Sequence, residues 1–102
     1  MTVLRRLNLV FAASLEDAVT AALIEHEPPL PGFTLFKAEG HSGDFAHASV
    51  EERVRGRVDR RVLWMVLTQD AAADLVAFLR SRVYSGEVVW WTEPVESFGR
   101  LR

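Results

Sequence analysis

The sequence predicts a single α+β domain spanning residues 1–102, in which two helices lie on one antiparallel sheet. Four short apolar segments alternate with two segments that carry apolar residues at helical spacing, in the order β-α-β-β-α-β. A long charged stretch separates the two halves of this pattern. Two right-handed β-α-β units joined in one sheet form the ferredoxin-like sandwich, so this is the fold that we expect.

The first unit covers strand one, helix one and strand two. Alternating apolar positions from Val3 to Phe11 predict the first strand. Ser14 is predicted to cap the following helix, whose apolar residues recur at helical spacing until Pro28. The second strand is predicted from Phe33 to His41, between two glycine-containing turns.

The segment 42–61 is predicted to be a long loop between strands two and three. Nine of its residues are charged, and five of these are arginines. Loops longer than about 12–15 residues in a small domain are usually functional or disordered. This loop is therefore the first place to look for activity.

The second unit covers strand three, helix two and strand four. The segment Val62–Thr68 is apolar on both faces, which predicts a central strand. Asp70 or Thr68 is predicted to cap the second helix, and Ser85-Gly86 to end it. Strand four is predicted over Val88–Thr92, because Pro94 should break it, and residues 94–102 then form a C-terminal tail.

Composition excludes several classes of function. Twelve basic against fourteen acidic residues provide no general attraction for nucleic acid. The chain has no cysteine, so thiol nucleophiles, thiolate metal sites and disulfides are excluded. No window approaches a membrane span, and the short apolar stretch after Arg5-Arg6 is too poor for a secretory signal. We expect a cytoplasmic protein without membrane insertion.

The sheet face that the helices leave open is predicted to be apolar. Trp90 and Trp91 are neighbours, so they point to opposite faces, as do Phe33 and Phe36. Such a face suits either a homo-oligomer or an RNA platform that stacks bases on aromatic rings. The acidic balance and the lack of an RNA-binding signature favour the oligomer.

Several segments resemble the PII signalling family and its PII-like relatives. Residues 32–40 read Gly-Phe-Thr-Leu-Phe-Lys-Ala-Glu-Gly, similar to a strand of that family, and residues 94–96 and 100–102 resemble its closing Pro-Val-Glu and Arg-Ile-Arg. Residues 40–41, 51–57 and 99–101 are similar to a PII-like branch whose members accompany heavy-metal efflux systems. The resemblance implies a homotrimer with a T-loop at 42–61. It also implies a sensor that signals to a partner such as a transporter or efflux protein.

The resemblance further implies an effector site at the cleft between subunits. Thr34, Arg100 and Arg102 match family positions there. The family's phosphate-binding Gly-Asp-Gly-Lys is replaced by Gly-Glu-Val-Val at residues 86–89, and loss of the lysine argues against ATP binding of the usual PII kind. A small anion or another nucleotide remains as the effector.

The five arginines of the loop 42–61 support an anionic effector. Guanidinium groups suit carboxylate, bicarbonate or phosphate, and glycine allows close approach of the backbone. The alternative is a solvated loop whose arginines pair with its own acidic residues. The predicted effector-binding residues are Thr34, Gly40, Gly56, Arg57, Arg60, Arg100 and Arg102.

A metal site is the second candidate. His41, Asp44 and His47 occur at three-residue spacing, and imidazole with carboxylate suits zinc, copper or nickel. The alternative function is accordingly a copper- or zinc-binding tolerance module related to CutA-like proteins. An enzyme is not expected, because no serine has a visible His/Asp partnership and no other nucleophile–base arrangement stands out.

Overall fold

The computed structural model describes residues 2–41 and 58–102. The predicted order of strands and helices is confirmed. A single 3₁₀ turn precedes the first helix. The elements are β1 (Leu4–Ala12), the 3₁₀ turn (Ala13–Leu15), α1 (Glu16–Glu25), β2 (Thr34–Gly40), β3 (Val58–Thr68), α2 (Gln69–Arg82) and β4 (Val89–Val95).

The four strands form one antiparallel sheet in the order β2-β3-β1-β4. β3 is central, as its apolar run predicts, and β1 lies beside it. The register aligns Leu35, Leu63, Leu9 and Trp90 in one row across all four strands. Residues in such a row share one face of the sheet.

One hydrophobic core lies between the sheet and the helices. Alternate residues of β1 and β3 are buried there, and three small or apolar residues from each helix complete the core. Helix residues at spacings of three and four form the stripes that face the sheet. The core residues are Leu7, Leu9, Phe11, Val19, Ala22, Leu23, Leu63, Met65, Leu67, Ala72, Leu75 and Leu79.

The helix starts differ from each other. The Oγ1 of Thr68 accepts a hydrogen bond from the backbone N–H of Ala71 at 3.1 Å, so Thr68, not Asp70, caps α2. The prediction that Ser14 caps α1 is wrong, because Ser14 lies inside the 3₁₀ turn and Leu15 occupies the capping position without a side-chain hydrogen bond. α2 ends at Arg82, earlier than predicted.

Two strands are longer than predicted. β3 begins at Val58 because residues 58–61 pair with the end of β2, so the last four residues of the predicted loop 42–61 belong to this strand. β4 continues through Pro94 to Val95, and the predicted break is wrong. As an edge strand β4 pairs only with β1, and proline is tolerated on edge strands because a missing N–H can face away from the neighbour. Neither helix in the described ranges is long and apolar enough to cross a membrane.

Candidate functional site

The sheet face opposite the helices, called the open face below, exposes large aromatic side chains. It carries the residues of each strand that alternate with the core residues. Phe36 is 37% exposed, Trp64 39% and Trp91 43%. Large, partly exposed aromatic side chains that lie together are typical of protein contact sites.

A polar network joins β1 to the edge strand β4 on the open face. The indole Nε1 of Trp91 donates to Glu93 Oε1 at 2.9 Å, and the side-chain amide of Asn8 donates to the same oxygen at 3.1 Å. Arg6 Nη2 lies 2.9 Å from Glu93 Oε2. The Trp91 hydrogen bond, followed by that of Arg6, holds the pKa of the Glu93 carboxyl below its usual value and outweighs the desolvation that opposes it.

The aromatic side chains extend this network across the sheet. The guanidinium of Arg6 lies 4.3 Å from the centre of the Trp64 ring, and Phe36 meets the same ring edge to face at 4.9 Å. Both geometries are favourable for aromatic rings. The Nε of Arg6 is buried without a hydrogen-bond partner within the described residues. The charges of Arg6 and Glu93 are therefore paired with each other, while the aromatic rings of the open face remain partly exposed.

Sequence reasoning missed the polar network. The available signal was the pair Arg6 and Asn8, two polar residues that alternate with core residues in a strand-forming segment. Asn8 is almost completely buried. A buried polar residue needs hydrogen-bond partners, so its presence in a central strand indicates a network.

Gly40 and Arg60 are brought together at the end of β2. A Cβ at Gly40 would lie 2.9 Å from both Cγ and Nε of Arg60. The arginine stem therefore crosses the strand where only glycine leaves room. This corner adjoins the segment 42–57.

The other predicted effector residues are dispersed within one chain. Thr34 is exposed at the opposite end of β2, about 20 Å from Gly40 at roughly 3.4 Å per residue. Arg100 and Arg102 are exposed beyond β4 and make no ion pair within the described residues. Gly56 and Arg57 lie outside the described residues.

Arg61 has a structural role that differs from that of Arg60. Its Nε donates to Glu16 Oε1 at 2.5 Å, and its Nη1 donates to the carbonyl of Arg60 at 3.0 Å. The ion pair joins β3 to the first turn of α1 on the helix side of the sheet. Of these two adjacent arginines, Arg60 is the one available on the open face.

Only one of the three predicted metal ligands lies within the described residues. His41 is exposed directly after β2, whereas Asp44 and His47 lie outside the described residues. Residues 2–41 and 58–102 bring no three His, Asp or Glu side chains together as metal ligands. The metal site stays a prediction.

Comparisons with known proteins agree with the architecture. The family model described as "Protein of unknown function (DUF3240)" matches residues 1–102. A crystal structure of a DUF3240 family protein from Shewanella baltica is similar at 22% identity and a TM-score of 0.77, with 100% of both chains covered. No curated protein matches the chain.

A PII-like fold is also found among the solved structures. A proposed PII-like signalling protein from Thermus thermophilus shares 18% identity at a TM-score of 0.62, with 92% of this chain and 88% of that chain covered. At this identity the likeness concerns the fold. The resemblance to PII-like proteins inferred from the sequence motifs is thereby confirmed.

Proposed function

The chain belongs to the DUF3240 family, and from this premise and its fold we propose that it is a cytoplasmic PII-like regulatory protein, not an enzyme, that binds a small anionic effector. The observation that carries the proposal is the corner of Gly40 and Arg60. It presents a guanidinium beside the segment that corresponds to the signalling loop of PII-like proteins. A guanidinium in this position suits a carboxylate, bicarbonate or phosphate group.

The effector site needs more than one copy of the chain. Thr34 lies too far from Gly40 to touch the same small molecule within one subunit. Neighbouring subunits can bring such positions together. We therefore place the site at a cleft between subunits, formed by Thr34, Gly40, Gly56, Arg57, Arg60, Arg100 and Arg102.

The open face supplies the surface for assembly into a homotrimer. Its aromatic side chains are partly exposed, and burying them against further copies removes apolar area from water. The pairing of Arg6 with Glu93 lowers the cost of that burial, because no unpaired carboxylate is taken out of water. A neighbouring copy can also provide an acceptor for the buried Nε of Arg6.

The regulatory output passes through the segment between β2 and β3. An effector shifts a loop only by binding one of its arrangements more tightly than another. Arg60 and Gly40 lie beside this segment, so a bound anion there biases its conformation directly. The target is a protein partner such as a transporter or efflux system.

Calorimetry on one preparation tests the effector. Bicarbonate, phosphate and adenine nucleotides are titrated into wild type, Arg60→Ala and Arg60→Lys. Loss of a charged hydrogen bond should weaken anion binding about tenfold or more in Arg60→Ala, with partial recovery in Arg60→Lys. Arg82→Ala is the control, since Arg82 pairs with Glu25 away from β2. Equal anion affinity in all four proteins would contradict the proposal.

The same preparation tests the alternative metal-binding function. Zinc and copper are titrated into wild type and the His41→Ala/His47→Ala double variant. Metal binding that disappears in the double variant, together with no anion binding by wild type, would favour the tolerance module. Affinity should then rise from about pH 5.5 to 7, as imidazoles lose their protons.

A further inference from the structure

A pocket lies on the helix side of the sheet, between the end of α2, the start of β4 and the centre of β1. Its volume is about 210 Å³. The buried side chains of Leu9 and Leu79 form its floor, while Val83 and Trp90 contribute to its walls. A concave, mostly apolar site with a few polar groups is the usual form of a small-molecule pocket.

Two polar side chains line the pocket together with this apolar surface. Arg80 is exposed in the last turn of α2 and makes no ion pair within the described residues. Arg82, by contrast, pairs with Glu25 at 2.9 Å and stacks on Phe78. Ser85 accepts a hydrogen bond from the backbone N–H of Glu87 through its Oγ, so its own hydroxyl hydrogen remains available to donate.

We propose that this pocket binds an amphipathic carboxylate, with the apolar body inside the pocket and the carboxylate on Arg80 and Ser85. A water-sized group takes up about 30 Å³. The pocket volume of about 210 Å³ therefore accommodates an apolar chain of roughly seven carbon-sized groups. Arg80 can offer two N–H groups to the carboxylate, and the Ser85 hydroxyl adds a third donor.

The charge balance of the pocket makes Arg80 decisive. The C-terminal end of α2 opposes an anion with about half a negative charge. A full positive charge at Arg80 outweighs the helix end. Without it the pocket would disfavour a carboxylate, so truncation of this one side chain should have a large effect.

Within one chain, this pocket lies apart from the corner of Gly40 and Arg60. The strand order places β2 and β4 at opposite edges of the sheet. Gly40 and Arg60 belong to the β2 edge, whereas Trp90 belongs to β4. The register also places Trp90 in the row of Leu9, on the helix side. Substitutions in the pocket can therefore be tested separately from substitutions at that corner.

Octanoate is the probe, because it joins seven apolar carbons to one carboxylate. We expect one site per chain in calorimetry, saturating below about 1 mM. Of the three tryptophan indole signals in a proton–nitrogen NMR spectrum, the Trp90 signal should shift most, and Trp90→Phe assigns it. Octanol tests the role of the charge, and acetate tests the role of the apolar body.

The matched variants are Arg80→Ala and Arg82→Ala, two exposed arginines on one helix turn. Arg80→Ala should bind octanoate about tenfold or more weakly than wild type, but should bind octanol no worse than wild type. Arg82→Ala should bind both octanoate and octanol with wild-type affinity. Equal octanoate affinity in Arg80→Ala and wild type overturns the proposal. So does octanoate binding that leaves the Trp90 signal unmoved, or no octanoate binding at all.

Discussion

The two faces of the sheet are built from the same strands but are completed in different ways. On the helix side, Leu7 and Leu63 are fully buried by the chain's own helices. On the open face their sequence neighbours Asn8 and Trp64 belong to a network of hydrogen bonds and ring contacts whose aromatic rings stay partly exposed. The first face provides the stability of one chain. The second leaves aromatic side chains partly exposed, and we propose that further copies cover them.

The largest expected effect is a difference in the free energy of unfolding between substitutions on the two faces of the sheet, at the adjacent residues Leu63 and Val62. Leu63→Ala leaves a cavity in the core and should lower the free energy of unfolding by about 2–5 kcal/mol at any protein concentration. Val62→Ala, on the open face, should cost about 1 kcal/mol or less when the protein is dilute, and more as concentration rises. Urea unfolding at two protein concentrations measures both variants. Equal, concentration-independent losses would show that the two faces are not distinct.

The second prediction concerns assembly through the open face. Trp64→Ser removes the ring that contacts both Arg6 and Phe36, so it should shift the proposed trimer toward monomer in sedimentation velocity. Helical content measured by circular dichroism should stay unchanged. Tyr84→Ser is the control, because Tyr84 is 90% exposed beyond the end of α2. A stable wild-type monomer at micromolar concentration would contradict the assembly proposal.

The same contrast explains what the sequence could predict. The helix-side core follows from local patterns, because apolar residues at strand and helix spacing lie close together in the chain. The central position of β3 follows from the apolar run Val62–Thr68. Its extension to Val58 does not, since Asp59, Arg60 and Arg61 resemble a charged loop until their pairing with β2 is known.

The candidate site was predictable only where its residues belong to a local motif. Gly40 and Arg60 were identified from motif and charge, and the register of β2 on β3 brings them together. The contact between Arg6 and Glu93 joins residues 87 positions apart, and it depends on the register of β1 on β4. No local pattern in the sequence contains that register.

The third prediction tests the corner of Gly40 and Arg60 with a double-mutant cycle. Gly40→Ala forces the Arg60 stem to move, which should offset the usual gain of about 0.5–1 kcal/mol from replacing a strand glycine. In the Arg60→Ala background the gain should appear in full. The coupling energy should therefore be about 1 kcal/mol in urea unfolding. Additive effects would show that the two residues do not contact each other in solution.

The smallest expected effect concerns Glu93 in the polar network of the open face. The hydrogen bond from Trp91, followed by that from Arg6, holds the pKa of Glu93 below its usual value in the folded chain. A carboxyl of this kind stabilises the folded state above its unfolded pKa of about 4.3. That contribution is lost as pH falls through the lower folded pKa. The effect is small because the carboxylate stays accessible to water.

Glu93→Gln isolates this contribution. The variant should be less stable than wild type near pH 7, and the difference should close as the pH falls through the lowered pKa of folded Glu93, because wild-type Glu93 is then protonated and has lost its charge as well. Urea unfolding at about pH 7, 5 and 3 measures the difference. Glu96→Gln, an exposed carboxylate in the tail beyond β4, should show no such pattern. A Glu93→Gln deficit that persists unchanged to pH 3 would mean that the side chain acts through its shape and hydrogen bonds, not through its charge.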